Sequence, residues 1–336
     1  MISARNVLTP EALAMMDVIA RTGSFAAAAR ELGKVPSALT YNVRQLEDAL
    51  DVLLFDRRSR QAKLTAAGEE LLSEGRRLLD QMDAVANRVK RVATGWETQL
   101  TVAVDSVMSR VTLFELCEAF YALKPEGTEG ALSGGPGTRL RLRTEVLAGT
   151  WEALVSGQAD LAIGVGTDQP PPPGVQMQTL GTLSFVFAVA PHHPLAAASG
   201  LISDTELMHH RAVAVADSAQ HMAPRTINLL PGQDVLTVAS MQAKIEAQLR
   251  CMGCGFVPEP LAREHIAAGH LVVKQVQRTP LLARLGYAWR SVPAGSSARK
   301  SQLGLALRWW LSQLESPATR LALLERHSGR IPLGGA

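Results

Sequence analysis

Between Ser24 and Leu50 the chain carries two short helical segments separated by four residues, an arrangement that few folds accommodate. Ser24 offers a side-chain oxygen to the free amides of a first turn. Ala26, Ala27, Ala28 and Ala29 are strong helix formers and leave a thin surface against which another helix can pack closely. Gly33 suits a helix end at positive φ, and Pro36 suits the first turn of the next helix. In that second helix Leu39, Val43, Leu46 and Leu50 recur at helical spacing and form the inward face. Ser37, Thr40, Tyr41, Arg44 and Gln45 are left to point outward, where hydroxyls, a phenol and a guanidinium can meet phosphates and base edges. Leu53, Leu54 and Phe55 resume the core. Arg57, Arg58, Arg60 and Lys63 then follow with no acid after Asp56, as in a β-wing laid against a phosphate backbone. The spacing predicts a winged helix-turn-helix over residues 1–65, with its motif at about 25–44. A solvated surface helix and a charged turn would leave the agreement of caps, spacing and basic run unexplained.

The basic run is local. Net charge over the 336 residues is +3, so the affinity of such a head for DNA must come from placed contacts and from two copies acting together. A source of pairing follows directly. From Thr65 to Val92 no proline occurs. Thr65 is placed to cap a helix, and Glu69 and Glu70 occupy its favoured first turn. Leu71, Leu78, Val85 and Val92 repeat every seven residues, with Met82 and Val89 in a second register. This is a seam for another helix and predicts a linker and dimerisation helix over 66–95, ended by Gly95. Packing against the chain's own body is the alternative.

After Trp96 short apolar strands alternate with helical stretches. Leu100–Val104, Leu140–Val146 and Leu161–Val165 give a βαβαβ rhythm, which predicts a parallel sheet flanked by helices. Leu183–Val189 opens a second such unit, continued by Ala212–Val215 and Leu236–Val238. Gly286–Trp289 is a late strand suited to pairing back into the first sheet. Lys124–Gly137 and Pro170–Pro173 are loops. Two lobes joined by crossing strands enclose a cleft, and ligands in such sheets sit beyond the carboxyl ends of strands. That rule selects Asp105, Ser106, Leu147, Ala216, Asp217, Ser218 and Ser240. Helix N-termini with serines suit a carboxylate, whereas Asp105 and Asp217 repel an anion beside them. An organic acid held by one lobe and a ligand with a cationic part are both compatible with this set. Helix capping alone is the plain alternative for each serine and aspartate.

These residues together resemble the LysR-type transcriptional regulators. The resemblance rests on Ser24-Phe25 with Ala28-Ala29, on Ser37-Ala38-Leu39-Thr40, and on Gln45-Leu46-Glu47. Leu54-Phe55, Leu64-Thr65 and Gly68 extend it, and the match covers about residues 8–70. The order Glu145, Trp151, Leu154, Gly157, Asp160–Gly164 and Ala190–Leu195 continues it through most of the chain. One departure stands in the recognition helix: Val35-Pro36 occupies the place where the family usually has Ser-Gln, so base readout shifts to Ser37, Thr40, Tyr41 and Arg44. The resemblance implies an α/β protein with an N-terminal winged helix-turn-helix, a long linker helix, and a two-lobed, periplasmic-binding-protein-like effector domain. We place that domain at 96–316, with lobe 1 at about 96–176 and 276–316, lobe 2 at about 177–275, and a C-terminal tail at 317–336. The implied partners are operator DNA, a small-molecule effector and a second copy of the chain. A homotetramer is common in the family, and RNA polymerase is a candidate contact.

Other constellations are weaker. Cys251 and Cys254 have the spacing of a redox pair or half a zinc site, but no second cysteine pair accompanies them, and small packing residues are the better reading. His192-His193 and His209-His210 are sequence neighbours that point apart on most elements. No Ser-His-Asp ordering, phosphate loop or dinucleotide fingerprint is present, so neither catalysis nor a cofactor is expected. Three cysteines cannot build a disulfide framework. With no long apolar run and no signal-peptide pattern, a reducing cytoplasm is the expected home and no membrane contact is expected. A solute-binding or enzymatic α/β protein, whose first helices only mediate association, is the rival from another class. It requires the basic run and outward hydroxyls to be accidental. A regulator whose cleft is filled by its own side chains is a third reading.

Overall fold

Thr9 begins the first helix by accepting the amide of Ala12 on its hydroxyl. In the computed structural model described here, residues 7–56, 62–124, 136–278, 282–291 and 303–329 are described; at 83, 84, 86–88 and 90–94 this holds for the backbone alone. The chain divides into two units, Met1–Arg88 and Val89–Ala336.

In the first unit α1 spans Pro10–Thr22, α2 Phe25–Glu31 and α3 Pro36–Leu50. The break between α2 and α3 passes through Gly33 at φ +63°, the backbone region that the sequence reading assigned to it. Ala28 and Ala29 are fully buried and let α2 lie close to its neighbours. Met16, Ile19, Leu39, Val43, Leu46 and Leu54 complete the core, and Phe25 meets Phe55 edge-to-face at 5.2 Å between ring centroids. Leu50 is only partly buried, because it lies in the last turn of α3. Phe55 and Leu64 form an antiparallel bridge, and the amide of Asp56 donates to Lys63 O at 2.8 Å. These bonds are the base of the wing. The expected phosphate contacts Arg57, Arg58 and Arg60 lie outside the described residues.

Helix α4 runs from Ala66 to Thr94, with Thr65 Oγ1 accepting the amide of Gly68 at 3.1 Å, and Gly95 follows at φ +77°. Leu71 packs against the core of the first unit. Further along, the apolar repeat is open: Leu78, Met82, Val85 and Val89 are 48 to 66% exposed. The side chain of Val92 lies outside the described residues.

The second unit is built on a seven-stranded sheet of β1 Gln99–Asp105, β2 Arg139–Glu145, β3 Leu161–Gly166, β4 Val175–Val189, β7 Gly255–Pro258, β8 Val272–Lys274 and β9 Leu282–Arg290. Their order is β2-β1-β3-β9-β4-β7, with β8 also paired to β4. Strands β1, β2 and β3 are parallel, as the βαβαβ rhythm predicts, and β9 runs antiparallel between β3 and β4. Strands β5 (Ala212–Val215) and β6 (Val235–Val238) form a separate parallel pair. Helices α5 (Arg110–Tyr121), α6 (Ala148–Val155), α7 (Asp204–Leu207), α8 (Met241–Leu249), α9 (Glu259–Ala267), α10 (Leu305–Glu315) and α11 (Pro317–Glu325) cover these sheets.

Two elements differ from expectation. Strand β4 starts at Val175, eight residues before the expected Leu183, and belongs to both lobes. Its first half alternates polar Gln176 and Gln178 with apolar neighbours beside a proline run and Gly181, a pattern that reads as loop in isolation. The expected tail is partly a structural helix. Ser316 caps α11, and Leu323 and Leu324 are buried in the main core. Its last carbonyls accept from lobe 1 (Ser109 amide to Leu323 O, 2.8 Å; Thr112 hydroxyl to Ala322 O, 3.1 Å), and Glu325 accepts from Arg263 of α9 at 2.8 Å. Among the described residues no helix is long and apolar enough to cross a membrane.

Candidate nucleic-acid interface and ligand cleft

Helix α3 presents two unlike faces. Inward are Leu39, Val43 and Leu46, and with them Glu47, a charged residue that is nonetheless buried. Glu47 Oε1 accepts the amides of Leu54 at 2.9 Å and Phe55 at 3.4 Å, and so ties the helix to the strand entering the wing. In the sequence Glu47 stands out only as part of Gln45-Leu46-Glu47, with nothing to mark this role. Outward are Ser37, Thr40, Tyr41 and Arg44, all exposed, with Gln45 half-buried beside them. Three of the five are already engaged. Thr40 Oγ1 donates to Pro36 O at 3.0 Å, and Gln45 Nε2 donates to the Tyr41 hydroxyl at 2.8 Å. No side chain caps the start of α3 at Val35, in line with the departure noted above.

In the second unit the strand-end residues fall into two groups. Asp105, Leu147, Asp217 and Ser218 meet around the first turn of α6. Asp105 is buried at the end of β1. Its Oδ1 accepts the amide of Val107 at 3.0 Å, and its Oδ2 accepts that of Leu147 at 3.1 Å. Leu147 stands at φ +53°, unusual for a residue with a Cβ, and is held there by this bond. Ser106 is buried next door, and its amide donates to Glu145 O at 2.9 Å. Asp217 and Ser218, after β5, reach α6 and the end of β2. Ala216 is exposed and only continues the β5–β6 pairing through Val238 O. Ser240 caps α8 by accepting the amide of Ala243 at 3.2 Å, with no bond to the cluster among the described residues. The sequence reading missed Glu152 of α6, whose carboxylate accepts the amides of Gln220, His221 and Met222. Its only signal was a lone charge in an otherwise apolar eight-residue helix.

Burial pushes the Asp105 carboxyl up from 3.8 to about 7, against the two amides and the Thr150 hydroxyl that favour the charged form. Between these values the folded chain keeps a proton that the unfolded chain has lost, so this group makes the fold less stable as pH rises through the window. The expected loss is on the order of 4 kcal/mol. Glu152 acts in the opposite sense. Burial raises it, but the amides of Met222, His221 and Gln220 outweigh that and hold it below the ordinary carboxylate range. Chemical denaturation of wild type and Asp105→Asn between pH 4 and 8 isolates the first effect. The difference in stability should shift towards the asparagine variant as pH rises, and a pH-independent difference would remove the buried proton.

Cys254 is buried, its thiol donating to Arg211 O at 3.4 Å, and burial pushes it up to about 11. Both Cys251 and Cys254 are free thiols. The histidine pairs do not act as pairs. One member of each, His193 and His210, come together with ring centroids 5.1 Å apart. Among the described residues no cluster of histidine, cysteine and carboxylate side chains could hold a metal ion.

Residues 10–69 match the family model of the bacterial regulatory helix-turn-helix protein, lysR family, and residues 93–314 match the LysR substrate binding domain. This chain belongs to the LysR family of transcriptional regulators. The LysR regulators it resembles include the probable HTH-type transcriptional regulator YhaJ of Escherichia coli K12, 36% identical over 92% of this chain and 96% of that one. The uncharacterized HTH-type transcriptional regulator YeeY of the same strain is 34% identical over 90% of this chain and 92% of that one. The crystal structure of the LysR family regulator CbnR shares the fold, with a TM-score of 0.55 at 17% identity over 92% of this chain and 99% of that one. As a LysR regulator the protein binds DNA and is not an enzyme.

Proposed function

We propose that this LysR regulator reads operator DNA with the outer face of α3, through Ser37, Thr40, Tyr41, Arg44 and Gln45, and grips phosphates with Arg57, Arg58 and Arg60 of the wing. A small-molecule effector bound between the lobes, at Asp105, Ser106, Leu147 and the Ala216–Ser218 segment with Ser240, sets its regulatory state. The observation that carries the DNA reading is the sorting of α3: its apolar side chains and Glu47 face the core, while a continuous row of hydrogen-bonding groups faces out. The exposed heptad stripe of α4 supports pairing of two chains, which sets two heads on two half-sites. Pairing of dimers into a tetramer, and contact with RNA polymerase, extend the same scheme.

Gel-shift titration against an operator and unrelated DNA tests the assignment. Arg44→Ala should cost about 1–3 kcal/mol on the operator and relax sequence preference. Arg58→Ala should weaken binding to every sequence and reduce the salt slope by about 1. Unchanged affinity and slope for Arg58→Ala would take the wing off the backbone. Unchanged preference for Arg44→Ala would move base readout elsewhere on α3.

A further inference from the structure

The two lobes exchange carboxylates. From lobe 2, Asp217 reaches α6 of lobe 1 and accepts the amides of Ala148 and Gly149, each at 3.2 Å. The same carboxylate accepts the amides of Ala219 at 2.9 Å and Arg225 at 2.8 Å in its own loop. In return Glu152 of α6 accepts three consecutive lobe 2 amides, Gln220, His221 and Met222, at 2.8–3.1 Å, with His221 Nδ1 at 3.3 Å. Between them Ser218 Oγ accepts the amide of Val146 at 2.9 Å and donates to Glu145 Oε2 at 2.7 Å. The fit is close enough that a Cβ on Gly149 would lie 1.9 Å from Ser218 Oγ.

Free amides at a helix start are where a bound anion would sit. Here they are satisfied from within: Leu147 by Asp105, Ala148 by Asp217, and Gly149 by Asp217 together with Val146 O. One polar group in this corner is left over. The hydroxyl of Ser106, a residue only 6% exposed, has no hydrogen-bond partner among the described residues. A buried orphan hydroxyl is costly, and a ligand that reached it would remove that cost. Asp217 therefore satisfies the helix and leaves one donor unused.

We infer that Asp217 is a built-in ligand that fastens the lobes in the effector's stead, and that the effector is a small carboxylic acid with one further polar group, which displaces Asp217 from α6 and reaches Ser106. This rests on the cleft being the effector site. Competition from a tethered carboxylate, whose effective concentration is on the order of millimolar, raises the dissociation constant of any such acid.

Vacating the site by Asp217→Ala in the full-length chain makes it available to acids in solution, and thermal unfolding in acetate, glycolate or chloride at equal ionic strength reads the result. Acetate should raise the midpoint of Asp217→Ala and leave wild type unmoved. Glycolate should bind the variant about tenfold more tightly than acetate, and Ser106→Ala in the same background should abolish that advantage. Equal shifts in wild type and variant, or none in either, would overturn the built-in ligand. Equal binding of the two acids would overturn the second polar group. If Asp217→Ala does not fold, Asp217→Asn keeps one acceptor oxygen, and protease cleavage within 219–234 should be faster than in wild type and slowed by acetate; no slowing overturns the proposal. The probe needs no natural effector, so the two readings fail separately. Rescue by acetate, with no natural acid ever acting on wild type, upholds the built-in ligand and removes the effector role. A natural effector that binds wild type and Asp217→Ala equally upholds the cleft and overturns the built-in ligand.

Discussion

Removing the chain after Ser316 should unfold the second unit rather than trim it. Helix α11 buries Leu323 completely and Leu324 almost so, and a Cβ on Gly181 of β4 would meet Leu324 Cδ1 at 2.6 Å, so strand and helix are in tight contact. Its loss would open a cavity in the core shared by both lobes and orphan the hydrogen bonds from Ser109 and Thr112. Leu323→Ala alone should cost about 3 kcal/mol. Urea denaturation of the full-length chain, followed by a probe in the second unit such as its tryptophans, measures both. A truncated chain that melts with wild type would show that α11 is an appendage.

Gly68→Ala should destabilise the DNA-binding head, although the same change inside an exposed helix usually stabilises by about 1 kcal/mol. Gly68 lies in the first turn of α4, where a Cβ would stand 2.1 Å from the carbonyl oxygen of Leu54 and 2.9 Å from Leu64 Cδ2. The first of these is backbone and cannot rotate away. Leu54 is fully buried, its amide is held by Glu47, and its carbonyl accepts the amide of Thr65. Accommodating a methyl group therefore means moving the base of the wing away from α4. We expect a loss of several kcal/mol, typical of overpacking against an immobile neighbour, with weaker operator binding because the wing shifts. Circular dichroism melting and gel shift together check this. A variant as stable as wild type would show that the helix start can slide.

Which features the sequence made legible follows from the range of the interactions. The head was readable almost to the residue, because Ser24, Gly33, Pro36 and the Leu39-Val43-Leu46 stripe each state a local conformation that agrees with its neighbours. Glu47 escaped because a glutamate two residues after Gln45 looks like part of the solvated face; only the wing, seven residues on, makes its burial tolerable. The parallel strands were visible as apolar runs. The first half of β4 was not, since Pro170–Pro173 and Gly174 before it and Gly181 within it punctuate its alternation as loop, and its partner β9 lies about a hundred residues away. Where the lobes meet, strand ends pointed to Asp105, Leu147, Asp217 and Ser218, which do converge, and to Ala216 and Ser240, which among the described residues join no bond of that cluster. Proximity to a strand end is a property of topology. Which side chain turns towards the opposite lobe depends on loop geometry, and that is why Glu152 and its three amides had no signature.

Strands β4 and β9 make the two lobes parts of one fabric. Their ladder continues from Val175–Arg290 to Ser184–Leu282, and beyond it the same β4 pairs with β7 and β8. A change in the angle between lobes must therefore twist this hydrogen-bonded ribbon. The ribbon has one weak stitch, where register slips between Thr179 and Gly181. Torsion should gather there, beside the Arg320 side chain that donates to Thr179 O at 3.1 Å. In mechanical terms the domain is a torsion bar with a single notch, and its travel is set by how far that notch can wind.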